Sequence, residues 1–166
     1  MIDLSAEITP GKSGAGFDIG SSLSDLNELL AYAVKMDTSQ VQNLRKLLAA
    51  SEGFVVITDN STGEKTVYYG DDIVRLKFNS KGILYCMYLF EGYKGLFNNC
   101  IGIGSKLIDV TKIFPIYYDD HDEMHYPDDE CGASVSGIAF YGAEESIDDD
   151  PEQVINGISV HDWSLM

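Results

Sequence analysis

An eight-residue pattern occurs twice in this chain, and it limits the possible folds more than any other feature. Ile19-Gly20-Ser21-Ser22-Leu23-Ser24-Asp25-Leu26 matches Ile103-Gly104-Ser105-Lys106-Leu107-Ile108-Asp109-Val110, with five identical positions and one Leu-for-Val exchange. Each copy follows a Gly-rich lead. Gly permits a tight turn, Ser can cap a helix start, and the paired Leu and Leu/Val can anchor that helix to a sheet. Tyr-bearing strand signals follow both copies, at Tyr68-Tyr69 and at Tyr117-Tyr118. An echo of this kind is the mark of a repeated unit.

The segments between the copies read as two helices and then a meander. Leu23, Leu26, Leu29 and Leu30 recur at helical spacing behind a candidate cap at Ser21 or Ser22. Val41, Leu44, Leu47 and Leu48 do the same over residues 38–51. Strands are expected at 54–58, 66–69, 73–78 and 83–90, separated by turn sequences such as Asn60-Ser61-Thr62-Gly63 and Asn79-Ser80-Lys81-Gly82. Val74, Leu76 and Phe78 alternate with Arg75 and Lys77, as in a strand with one wet face. Beyond the second copy, strands are expected at 116–118, 135–141 and 155–163, with acidic loops at 119–130 and 144–152. The expected fold class is therefore α+β, with helices packed on an antiparallel meander sheet in two related helix–strand repeats. The 166 residues suit one compact domain, with tandem modules at 14–98 and 99–166.

Charge is distributed unevenly. The net charge is −16, and Lys112 is the last of eleven Lys and Arg. Residues 1–112 set those eleven against thirteen acids, whereas residues 113–166 carry fourteen acids and no Lys or Arg. Such a surface repels nucleic acid and anionic membrane and attracts cationic proteins or metal ions. The N-terminus lacks the positive start and apolar run of a secretion signal, and no apolar stretch is long enough to span a bilayer. Cys86, Cys100 and Cys131 fit neither a zinc pattern nor a disulfide framework, so reduced thiols and a cytoplasmic setting are expected.

No motif completes a catalytic set. Gly11-Lys12-Ser13 ends like a phosphate loop, but Ala6 stands where its first Gly belongs. His121-Asp122-Glu123-Met124-His125 has the two-histidine spacing of a zinc helix, yet Asp122 occupies the place of the general base. Gly132-Ala133-Ser134-Val135-Ser136-Gly137 misses the serine-nucleophile pattern by one residue. No cofactor, no metal and no enzymatic activity are expected; a metal-dependent hydrolase using His121 and His125 and a non-inhibitory adaptor are the alternatives. The acidic loops are more promising. Aromatic anchors interleaved with acids suit capture of a basic protein. The expected partner-binding residues are Tyr117, Tyr118, Asp119, Asp120, Asp122, Glu123, Tyr126, Asp128, Asp129 and Glu130, with Glu144, Glu145, Asp148, Asp149 and Asp150 from the second loop.

Two family resemblances point the same way. The lead Pro10-Gly11-Lys12-Ser13-Gly14-Ala15-Gly16-Phe17-Asp18-Ile19-Gly20 resembles the opening of small acidic bacterial immunity proteins of toxin–immunity systems. The start Gly104-Ser105-Lys106-Leu107-Ile108-Asp109-Val110, with meander strands, resembles tandem helix–sheet inhibitors of the β-lactamase-inhibitor-protein type. These resemblances imply stoichiometric binding without catalytic residues. The implied partner is a cognate protein toxin with a basic effector domain, and neither nucleic acid nor membrane is a partner.

Overall fold

The computed structural model describes residues 1–128 and 135–166. It is built around one sheet. In chain order the strands are β1 (Ser13–Gly14), β2 (Phe17–Asp18), β3 (Val34–Asp37), β4 (Phe54–Thr58), β5 (Lys65–Tyr69), β6 (Val74–Phe78), β7 (Leu84–Leu89), β8 (Ile116–Asp119), β9 (Met124–Pro127), β10 (Ile138–Tyr141) and β11 (Gly157–His161). β1 and β2 form a small hairpin, and the other nine strands form a sheet in the order β3-β4-β5-β6-β7-β11-β10-β9-β8. The meander β4 to β7 and the run β8 to β11 each proceed strand by strand and meet at the β7–β11 seam. One continuous sheet therefore crosses the boundary expected between 14–98 and 99–166.

This architecture corrects the α+β expectation. The helices expected to pack on the sheet are nearly absent. Among the described residues the only α-helix is α1 (Leu44–Ala49), joined by short 3-10 turns at Leu23–Leu26, Leu107–Lys112 and Trp163–Leu165. Nor is the sheet purely antiparallel, because β3 runs parallel to β4. The leucines three apart that suggested a helix over 23–30 suit a 3-10 turn equally well. Ser22 caps that turn with Asp25 in a reciprocal capping box. Ser24, Asp25 and Asn27 favour caps and turns over helix interiors, so the helix does not propagate.

The two echo segments make matching backbone hydrogen bonds. Gly20 N–H donates to Leu84 O (2.7 Å) and Gly104 N–H to Ile155 O (2.8 Å). Leu84 donates back to Ser21 O, as Ile155 does to Ser105 O, each at 2.9 Å. Leu23 donates to Gly82 O (2.8 Å) and Leu107 to Gln153 O (3.0 Å). Each copy thus clips a turn onto the chain that leads into the last strand of its half, β7 or β11.

Strand register separates two faces. Val56, Val67, Leu76, Met87, Val160 and Ile138 lie in register across one of them, and all are buried in the main core. The β1–β2 hairpin, two 3-10 turns and irregular chain cover this face in place of packed helices, supplying Ile8, Phe17, Leu26, Tyr93, Phe97, Leu107 and Val110. Tyr93 ties that cover together, since its buried hydroxyl donates to Ala6 O (2.6 Å) and accepts from Ala15 N–H (2.9 Å). On the second face α1 packs only over β4 and β5, where Leu48 meets Val55, Ile57 and Tyr68. No helix among the described residues is long and apolar enough to cross a membrane.

Candidate functional site: an aromatic sheet face with an acidic end

Beyond α1, the second face carries large aromatic side chains. One register line runs Val55, Tyr68, Arg75, Tyr88, Ser159, Ala139 across β4, β5, β6, β7, β11 and β10. The Arg75 guanidinium lies 5.5 Å from the Tyr68 and Tyr88 ring centres and 5.0 Å from that of Phe90. Its Nε donates to Asp72 Oδ1 at 3.1 Å, and a terminal nitrogen pairs with the other carboxylate oxygen. Three rings and one carboxylate therefore fix a long side chain that would otherwise sample many rotamers, while leaving it partly exposed. Tyr88, Phe90 and Tyr141 continue the patch, with ring centres 6.0–6.3 Å apart. Gly157 makes this closure possible. A Cβ there would sit 2.8 Å from a Phe90 ring carbon and 3.0 Å from a Tyr141 ring carbon.

A second line brings Ile57, Thr66, Lys77, Cys86 and His161 together. The β6–β7 register shifts after Lys77, since Phe78 pairs with Leu84 and Lys77 with Cys86. Tyr85 is the extra residue, and its ring lies under the Lys77 ammonium (5.8 Å) and against Trp163 (6.2 Å). His161 is almost fully buried. Its Nδ1 shares a hydrogen bond with Ser159 Oγ (2.9 Å), which lies 3.7 Å from Cys86 Sγ. Ser159 has no exposed surface, so this chain of polar atoms satisfies the interior and presents no nucleophile.

Burial lowers the His161 pKa to about 4, against the opposing pull of nearby Asp122 and Asp162. The imidazole is thus neutral in the fold at neutral pH. Between about 4 and the ordinary value of 6.5 the unfolded chain binds the proton and the folded chain does not. Stability from this group is therefore present above 6.5 and is lost as pH falls through that window, by at most about 1.4 kcal/mol per pH unit. We expect the stability difference between the native protein and His161→Gln to shrink from pH 7 to pH 4.5 in urea titrations. A difference independent of pH would contradict the assignment.

The β8–β9 hairpin and the 142–156 loop emerge at the same end of the sheet, because Asp119 pairs with Met124, Phe140 with His125, and Tyr141 with Gly157. The hairpin turn at 119–123 and the acidic loop at 144–150 are brought together there, whereas Asp128 lies at the opposite end of the hairpin, where its N–H donates to Pro115 O (2.7 Å). Asp120, Glu123, Glu144, Glu145, Asp148 and Asp149 are exposed, while Asp119, Asp122, Asp128 and Asp150 are half-buried. Burial raises the Tyr118 pKa, and so do the surrounding charges of Glu123, Asp120, Glu144 and Asp122. The hairpin also sorts its tyrosines. Tyr117 and Tyr126 pair and stack (5.6 Å) on the aromatic face, whereas Tyr118 lies on the opposite face, 4.8 Å from the His125 ring. Tyr126 donates its hydroxyl proton to Asp122. Asp129 and Glu130 lie outside the described residues, as do Cys131, Gly132, Ala133 and Ser134.

His121 and His125 do not form a zinc helix. His121 is exposed in the hairpin turn, while His125 is fully buried in β9 with Nε2 3.1 Å from Glu145 O. Among the described residues, no three of His, Cys, Asp and Glu gather as a metal-ligating group. Sequence reading missed Tyr68, Arg75, Tyr88, Phe90, Tyr141 and Trp163. The alternation of Arg75 and Lys77 with buried apolar residues was the available signal for their face. No family model, curated protein or solved structure was found to match this chain.

Proposed function

We propose that this protein is a stoichiometric inhibitor of the immunity-protein kind, which captures a basic toxin domain on the aromatic sheet face while the acidic end steers the approach. The observation that carries this reading is the juxtaposition of Tyr68, Arg75, Tyr88, Phe90 and Tyr141 on one face with the exposed acids of both loops at the adjoining end. Arg and aromatic residues in a partly buried cluster are the side chains that dominate protein–protein binding energy. Charges at a rim act mainly on encounter. A cytoplasmic setting belongs to the proposal, supported by the free thiols of Cys86 and Cys100.

The test is kinetic. The partner is first identified by affinity purification from the native host and then prepared recombinantly. Its association rate should fall at least tenfold between about 50 mM and 500 mM salt, as expected for steered encounter. Neutralising Asp120, Glu123, Glu144 and Glu145 together should slow association by about tenfold and leave dissociation nearly unchanged. An acidic partner, or association indifferent to salt, would overturn the proposal.

A further inference from the structure

The aromatic face ends in a cavity of about 470 Å³ between the β8–β9 hairpin, the start of β10 and the C-terminal turn. Tyr117, Tyr126, Gly137, His161, Asp162 and Trp163 line it. Two parallel ring pairs form its walls. Tyr117 stacks on Tyr126, with centres 5.6 Å apart and planes 20° apart, and His161 stacks on Trp163, at 4.2 Å and 20°. The pairs meet edge-on where Tyr126 approaches His161 at 6.3 Å and 73°. Tyr117 and Trp163 remain 43% and 41% exposed at the mouth, a large apolar surface to leave open to water.

Two carboxylates border this corner. The Asp162 carboxylate lines the cavity and accepts from Ser164 N–H (3.0 Å) and Oγ (2.7 Å), which keeps it ionised and in place. Asp122 holds the Tyr126 hydroxyl. A neutral His161 adds no opposing charge at physiological pH. Lys77, on the same face, is engaged over the Tyr85 ring. Flat π faces beside fixed carboxylates attract a cation, and a planar delocalised one stacks better than a spherical ammonium.

We infer that this cavity is a socket for one arginine guanidinium, presented by a protruding loop of the partner. The inference rests on the reading of the partner as a cationic protein, and it names the side chain that anchors it. A guanidinium entering the corner lies flat against exposed Tyr117 or Trp163 and turns an edge toward Asp162.

The test uses the intact protein and a small probe. Trp163 is the only tryptophan, so its emission reports on the site directly. N-acetyl-arginine amide should change that emission saturably. N-acetyl-citrulline amide, matched in shape but uncharged, should bind at least tenfold more weakly. Tyr117→Ala should weaken the arginine probe about fivefold, a loss in the range of one cation–π contact, and Tyr117→Phe should restore most of it. Tyr117 is outside the core, so loss of fold does not confound the result; a thermal melt of each variant checks this. Equal responses to arginine and citrulline, or no saturable response, would overturn the socket. A basic partner that still binds with salt-dependent association, and is indifferent to Tyr117→Ala, would remove the socket and leave the proposed function standing. An arginine-specific response in a protein whose partner proves acidic would do the reverse.

Discussion

Gly137→Ala should destabilise the protein by about 3 kcal/mol or more, a larger cost than that expected of any surface change. A Cβ at this position would lie 2.3 Å from both Cα and N of Gly11 and 2.9 Å from His161 O. All three are backbone atoms, so no side chain can rotate away. The residue also holds φ at +89°, a conformation that costs a non-glycine residue about 1 kcal/mol or more by itself. Its carbonyl accepts from Gly11 N–H (2.9 Å) and from His161 N–H (3.1 Å), so relief of the clash must stretch bonds that join the N-terminal lead, β10 and β11. Urea unfolding of the variant would measure this cost. A loss below about 1 kcal/mol would mean that the three segments are not packed this closely.

Arg75→Ala should be the most damaging change to partner binding, costing about 2 kcal/mol or more through faster dissociation. Arg75 sits in the middle of the aromatic patch, where it orders Tyr68, Tyr88 and Phe90 and is itself ordered by Asp72. Lysine should not rescue it, because an ammonium cannot stack flat on the rings and bond both carboxylate oxygens in one geometry. Arg75→Lys preserves the charge and much of the aliphatic stem, so it separates shape from electrostatics. Tyr88→Ala should act in the same direction, with association rates close to those of the native protein. If either variant slows association and leaves dissociation untouched, Arg75 belongs to the steering surface instead.

Local pattern was enough to find β4 to β7. Phe54 to Thr58 is β-branched, and Val74 to Phe78 alternates cleanly between core and open face, so each strand announces itself within its own residues. β9 was missed for the opposite reason. Met124 to Pro127 lies in an acid-rich stretch that reads as loop, and it becomes a strand because Tyr126 finds Tyr117 and His125 finds Phe140. β3 is an edge strand of four residues that pairs in parallel with β4, a connection invisible to local signals. The helices were over-read because a leucine every third residue fits one 3-10 turn as well as it fits a helix. The acidic loops were legible in composition, and their meeting at one end of the sheet follows from strand order. The aromatic face was legible only in part. Arg75 and Tyr88 pair directly across the β6–β7 hairpin, but Tyr141 comes from β10, and only the seam between β7 and β11 brings it beside them.

The proposed function requires the partner to cover the aromatic sheet face, and amide hydrogen exchange of the protein with and without its partner measures that directly. Protection is expected along β6, β7 and β10 and in the β8–β9 hairpin, with α1 (Leu44–Ala49) and the turn at Leu23–Leu26 unchanged. Protection confined to residues 1–60, with β6 and β7 exchanging as they do in the free protein, would contradict it.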